Sequence, residues 1–247
     1  MQKRKIGNQE MINNKNQNWK IFAICMFFEI CIVFLYSMYI QNEGYNLNAE
    51  LWFSYIYGVD NKTRDYMLIA AWMVPYFICR MMPFISLEYE FSGKKYFCMI
   101  RYKTRKEYYD RKLFQTIVDE IKTCLLCYLL LVFFGVILSH VYGYGEYVDY
   151  KMLITGIILW VSYHVFMTII EFSIFIYISQ VGCLIVIEII QFGLFFALPT
   201  TIGRFIIPLC WGMYAYSSMY MIVIELIISM IIYLIGMNFY LKKGCEI

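Results

Sequence analysis

The sequence predicts an all-α, polytopic membrane protein with six transmembrane helices. Of its 247 residues, 62% are hydrophobic and only 16% are charged, and the mean hydropathy is +0.60. A soluble domain has about 45–50% apolar and about 25% charged residues. Six apolar segments are long enough to cross a bilayer, and apolar residues do not alternate with polar ones as they do in membrane β-strands. The composition therefore excludes an ordinary soluble domain.

The six predicted spans follow from length and composition, since a bilayer-crossing helix needs about 20 largely apolar residues. They are 19–40, 66–87, 117–141, 152–178, 181–199 and 219–240. The first span is too long for a cleavable signal peptide, and it carries Glu29. Between the fifth and sixth spans, Phe205 to Trp211 is apolar but is broken by Gly203, Pro208 and Gly212. We predict a re-entrant or interfacial element there.

The distribution of basic residues sets the orientation of the chain. Sixteen of the 21 Lys and Arg residues lie on the side that holds the N-terminal tail, the 88–112 segment, the start of span three and the C-terminus. Basic residues accumulate in cytoplasmic loops. An even number of spans then places both termini in the cytosol. We expect a multi-pass plasma-membrane protein, and because the net charge of +3 comes from this topology, we expect no nucleic-acid binding.

Two segments outside the spans divide the chain. Residues 1–18 are rich in Asn, Gln and Lys, and they form either a disordered tail or an amphipathic helix on the cytosolic membrane surface. Residues 19–247 form the six-helix domain, which includes the charged segment 88–112. A simple headgroup-binding loop would explain the basic residues of that segment. Interleaved acids and three tyrosines instead favour a docking helix for a cytosolic partner.

The same segment carries a pattern that resembles a known family. An acidic residue ends span two, a glycine follows, and then comes Arg-x-x-[ST]-Arg-x-x-Tyr with a later lysine; the residues are Glu88, Gly93, Arg101, Thr104, Arg105, Tyr108 and Lys112. With six spans and both ends inside, the chain resembles ABC-transporter permeases of the type-2 exporter class. The resemblance covers nearly the whole chain in architecture and about 25 residues in motif.

The resemblance implies a permease subunit that exports a peptide or amphiphile, as in bacteriocin or lantibiotic export and self-immunity. It implies two cytosolic ATPase subunits, which hold ATP and Mg²⁺, and a second permease, identical or similar. The coupling residues would be Glu88, Arg101, Thr104, Arg105, Lys106, Tyr108 and Lys112. The chain has no G-x-x-x-x-G-K-[ST] loop, so it would bind no nucleotide itself. A polytopic binding or immunity protein without ATP coupling is the alternative.

Ionisable residues inside the predicted spans are candidates for gating, because such residues usually face the bundle interior or a cavity. They are Glu29, Arg80, His164, Glu171, Glu188 and Glu225. Three of them, Arg80, Glu171 and Glu188, each lie about 10 Å inside the cytosolic boundary at 1.5 Å per residue. Matching depth suggests a buried ion pair or triad, which either fixes helix register or rearranges between transport states.

Small and polar residues also recur at helical spacing on two spans. His164, Thr168 and Glu171 share one stripe of span four. Ser218, Glu225, Ser229 and Gly236 share one stripe of span six, which predicts a close seam in the bundle or in a dimer.

Catalytic and metal motifs are absent from the sequence. Neither histidine lies in H-E-x-x-H, and no G-x-S-x-G occurs, so we interpret the chain as a transporter subunit and leave an intramembrane enzyme as the remote alternative. Cys124 and Cys127 form C-x-x-C, which is a redox or metal pair in other contexts. In an apolar helix free cysteine behaves as a small hydrophobe, so we interpret this pair as packing and predict no metal.

Overall fold

The computed structural model describes residues 73, 76–85, 87–88, 102–141, 150–178, 182–197, 202, 206–213 and 217–243, together with seven residues between 20 and 31. The regular structure in these ranges is helical, with no strand among them, so the all-α prediction is confirmed. The predicted N-terminal segment 1–18, Glu29, Gly93, Arg101 and the first external loop lie outside the described residues.

Six described helices follow one another along the chain. They are α1 (Tyr76–Ile85), α2 (Arg105–Val141), α3 (Tyr150–Ile178), α4 (Gly182–Ala197), α5 (Pro208–Trp211) and α6 (Met219–Lys243). The bounds of α3, α4 and α6 fall within three residues of the predicted spans four, five and six.

Helix α2 begins twelve residues before the predicted start of span three. Its first turn is capped by Thr104, whose hydroxyl oxygen accepts a hydrogen bond from the backbone N–H of Glu107 at 3.1 Å. The Glu107 carboxylate in turn accepts from the backbone N–H of Lys103 at 3.1 Å. Thr104 thereby satisfies a backbone donor that the first turn of a helix leaves free, and Glu107 holds the residue before the cap. The end of the predicted coupling segment, residues 105–112, therefore belongs to the same continuous helix as predicted span three.

Helix α3 is the centre of the bundle, since it contacts α2, α4, α5 and α6. The stripe predicted on span six faces it: Glu225 is hydrogen-bonded to Ser162, and Gly236 lies against Ser173. The seam of small and polar residues therefore lies within this chain, between α3 and α6.

The broken element between spans five and six contains the short helix α5. Its residues Leu209, Cys210 and Trp211 are buried, and Trp211 packs on Phe166 of α3 with ring centroids 5.5 Å apart. Gly212 ends it, and a Cβ atom there would lie 2.9 Å from the Tyr163 ring. Only a residue without a side chain allows this approach.

The outer faces of the helices are apolar. Leu153–Ile176 and Met219–Lys242 are long and apolar enough to cross a bilayer. A core helix of a soluble protein would be buried, yet on α6 Leu226 is 62% exposed and Met230 is 70% exposed. Large exposed apolar surfaces mark contact with a membrane or another protein. These two helices thus indicate membrane association.

Candidate functional site

The described residues contain a buried network of charges centred on Arg80 of α1. Its Nη2 pairs with a carboxylate oxygen of Glu171 on α3, and its Nε donates to Glu188 Oε1 on α4 at 3.1 Å. These are the three residues that the sequence predicts to lie at matching depth below the cytosolic boundary. Their side chains are 1% exposed at most, so the ion pairs lie in the interior.

A third carboxylate completes the network. Arg80 Nη1 lies 3.4 Å from Glu120 Oε1 on α2, and it also donates to the backbone carbonyl of His164 at 2.9 Å and to Thr168 Oγ1 at 3.1 Å. One guanidinium therefore connects α1 to α2, α3 and α4. Removing any of these helices from the others would leave a charge unpaired in an apolar interior.

His164 joins the network through Glu120. Its Nδ1 lies 2.8 Å from Glu120 Oε1, and its ring is surrounded by three aromatic rings at centroid distances of 5.1–5.3 Å, those of Tyr76, Trp160 and Tyr163. These rings are fully or almost fully buried. They separate the charges from the apolar core on that side.

The network holds more negative than positive groups. Three carboxylates surround one guanidinium. Each carboxylate has an oxygen without a hydrogen-bond partner, namely Glu120 Oε2, Glu171 Oε1 and Glu188 Oε2, and so does the ring nitrogen His164 Nε2. Buried polar atoms are normally paired. The surplus carboxylates must therefore be balanced by bound protons or by a cation.

Sequence reasoning missed Glu120. It lies inside predicted span three, but Asp119 and Lys122 beside it are typical of a membrane interface, and Lys122 Nζ lies 3.7 Å from Asp119. The available signal is the position of Glu120 four residues before Cys124, which places both on one helical face. In the structure Cys124 Sγ lies 3.7 Å from Glu120 Oε1.

Glu225, the remaining described candidate, lies apart from this network. The Ser162 hydroxyl of α3 donates to Glu225 Oε2 on α6, while Oε1 has no partner. The carboxylate is almost fully buried at the seam between the two helices. It is a second, separate buried polar pair.

The predicted coupling residues divide between surface and core. Thr104, Arg105 and Lys106 are exposed at the start of α2. Tyr108 is fully buried in a core cluster with Phe84, and Lys112 is buried and donates to Gln115 at 3.3 Å. Burial removes Tyr108 and Lys112 from any surface that a partner could contact in this conformation. Glu88 is helical, half-buried, and lies directly after predicted span two.

An apolar groove runs between α3 and α6, with a volume of about 450 Å³. Its walls are mostly aliphatic: Ile170, Ser173, Ile174, Ile178, Ile232, Ile235, Gly236 and Phe239. Such walls accept an alkyl chain, because they offer contact area and almost no hydrogen-bonding groups.

No protein-family model, curated protein or solved structure matches this chain. The permease resemblance therefore stands on the sequence pattern, and the site is interpreted from its own geometry.

Proposed function

We propose that this chain is the membrane-spanning permease subunit of an ATP-driven ABC exporter that moves a peptide or amphiphile. The observation that carries the proposal is the Arg80 network, a set of buried charges within helices whose outer faces are apolar. Ionisable groups inside membrane bundles are costly, and they mark substrate or ion pathways.

The Arg80 network supplies the gate for this function. Arg80 contacts carboxylates on three helices. A small rotation of α1 therefore strengthens the ion pair with one carboxylate as it weakens that with another, and the guanidinium stays paired throughout. Packed interfaces of this kind switch between discrete arrangements rather than deforming continuously. The α3–α6 groove is the corresponding candidate for the apolar part of an amphiphilic cargo.

The energy for transport would come from ATP hydrolysis by two cytosolic ATPase subunits, which hold ATP and Mg²⁺. A second permease would complete the translocation path. The contact surface is the exposed start of α2 at Thr104, Arg105 and Lys106. Because α2 continues without a break to Glu120, a push at Arg105 reaches the Arg80 network about 22 Å away along a rigid helix.

The proposed topology has six spans with both termini in the cytosol of a bacterial plasma membrane. A green fluorescent protein fused after residue 247 is expected to fluoresce, and an alkaline phosphatase fused there is expected to be inactive, because that enzyme folds only outside the cytosol. Active phosphatase at the C-terminus would require an odd number of crossings or an inverted orientation.

Charge reversal at the start of α2 tests the ATPase docking. We expect the chain, expressed with the ATPase encoded beside its gene, to retain that ATPase during purification, and we expect the double variant R105E/K106E to lose it. The side chains are exposed, so the fold should be unaffected. Co-elution on size-exclusion chromatography is the measurement.

The matched control is Lys242→Glu, which makes the same kind of charge change at an exposed position near the end of α6. The control should co-elute normally. If R105E/K106E also retains the ATPase, docking does not occur through α2.

A binding or immunity protein without ATP coupling is the second candidate. The burial of Tyr108 and Lys112 favours it, because two residues of the permease-like motif serve the core of this chain rather than an interface. If no ATPase co-elutes with the wild-type chain, this candidate replaces the exporter.

A further inference from the structure

We propose that Glu120, Cys124 and His164 form a binding site for a thiophilic divalent transition-metal ion of the Zn²⁺ class. Their donor atoms all lie within 4.8 Å of one another, and all three residues are fully buried. Glu120 and Cys124 are one turn apart on α2, and His164 faces them from α3. This site goes beyond the proposed export function and does not depend on it.

The distances are close to those of a loaded site. Glu120 Oε1 lies 2.8 Å from His164 Nδ1 and 3.7 Å from Cys124 Sγ. Zinc binds nitrogen and oxygen at about 2.0–2.2 Å and sulfur at about 2.3 Å, so tetrahedral ligand atoms lie about 3.3–3.8 Å apart. Shifts of about an ångström bring the three donors to these separations.

An unpaired atom gives an independent reason to place an ion here. Glu120 Oε2 is buried and has no hydrogen-bond partner. When the ion replaces the contact between His164 Nδ1 and Glu120, the imidazole proton lies on Nε2 and the Nδ1 lone pair faces the ion. Arg80 contacts Glu120 through Oε1, so Oε2 can bind a metal without breaking that ion pair.

The charge of the surroundings favours a divalent ion. One guanidinium faces the carboxylates of Glu120, Glu171 and Glu188, so two negative charges are in excess when all three are ionised. A bound divalent cation offsets these two charges in place of protons. When Cys124 binds as thiolate, its proton is released to the medium, and the site keeps one negative charge.

Two more thiols adjoin the site. Cys79 of α1 makes side-chain hydrogen bonds with both Cys124 and Cys127. A set of sulfur, nitrogen and oxygen donors selects Zn²⁺ or Co²⁺ over Mg²⁺ and Ca²⁺, which prefer oxygen alone. The proposal gives Cys124 a ligand role in place of the packing role expected from the sequence.

Cobalt provides the test, because a Co²⁺–thiolate bond gives a charge-transfer absorption that oxygen-bound cobalt lacks. The full chain, purified in detergent with a histidine-free tag and stripped with a chelator, is titrated with Co²⁺ and then with competing Zn²⁺. We expect one Co²⁺ per chain, a thiolate charge-transfer band, and its loss when Zn²⁺ is added. A large excess of Mg²⁺ should leave the band unchanged.

Cys124→Ser is expected to remove the band and to weaken binding by at least about 100-fold, the upper end of what losing an outer-shell partner causes. Cys210→Ser is the matched control, since Cys210 is a buried free thiol on α5 outside this cluster. It should bind as the wild type does. Size-exclusion elution reports folding, and Glu120→Gln serves as a second test if Cys124→Ser fails to fold.

Absence of the band in the folded wild-type chain overturns the proposal, as does an equal band in the wild type and Cys124→Ser. Neither result bears on ATPase co-elution. A chain that binds Co²⁺ but no ATPase keeps the metal site and loses the exporter.

Discussion

Replacing Arg80 with methionine is expected to lower the free energy of unfolding by about 3–5 kcal/mol, the usual effect of removing one partner from a buried ion pair. The guanidinium is the cationic partner of Glu120, Glu171 and Glu188 in this network. Without it, carboxylates on three helices face one another in an apolar interior. The yield of monodisperse protein in detergent and its Tm measure the loss.

Arg111→Met is the matched control, because its guanidinium is 67% exposed, pairs with Glu107 of the same helix at 2.9 Å and lies 5.7 Å from the centroid of the Tyr102 ring. Exposed pairs of this kind contribute less than about 1 kcal/mol. An effect of Arg80→Met as small as that of Arg111→Met would contradict the network described here.

A combined variant separates structural from gating roles. R80M/E120M/E171M/E188M removes every charge of the Arg80 network together and puts apolar side chains of similar volume in their place, and such replacement of buried ion pairs is often neutral or stabilising. We expect the combined variant to recover folded yield but not transport. If it folds and also transports, the network only fixes helix register and is not a gate.

The network shows what the sequence could and could not predict. Arg80, Glu171 and Glu188 were placed together because helical rise converts residue number into depth, and depth needs no knowledge of packing. Glu120 was missed because its acidic and basic neighbours are typical of an interface. The rotation of α2 that turns Glu120 inward depends on contacts with α3, which no local pattern records.

The tyrosines at the start of α2 illustrate the same limit. Tyr108 and Tyr109 fit a docking surface by composition, since tyrosine is common at interfaces. Both are buried, and Tyr109 packs on Phe172 and Tyr240 with centroids 5.2 and 5.5 Å away. An amphipathic segment predicts a buried face, but only tertiary structure decides whether the chain or a partner covers it.

Gly236→Ala is expected to destabilise the chain by about 1–3 kcal/mol, as overpacking of a filled interior does. An added Cβ would lie 2.6 Å from Ser173 Oγ and 2.8 Å from the Tyr109 hydroxyl, which are themselves 3.3 Å apart. Either the Ser173 and Tyr109 side chains then shift and lose their hydrogen bond, or helix α6 moves away from α3. The fall in Tm should be about 2–4 °C for each kcal/mol.

Gly193→Ala is the control for helix propensity, because a Cβ at this exposed position of α4 meets no atom within 4 Å. It should be neutral or stabilising, since alanine favours helix over glycine by about 1 kcal/mol. Adding S173A and Y109F to Gly236→Ala removes both contacting oxygens and should restore much of the lost stability.

Measuring the loss of stability at several protein concentrations shows whether Gly236 packs within one chain or at a contact between two chains. Within a chain, the loss of stability is independent of concentration, whereas at a dimer contact it would grow on dilution by mass action. The contacts of Gly236 with Ser173 and Tyr109 predict the first behaviour. A Tm difference that widens on dilution would instead place Gly236 between two permeases.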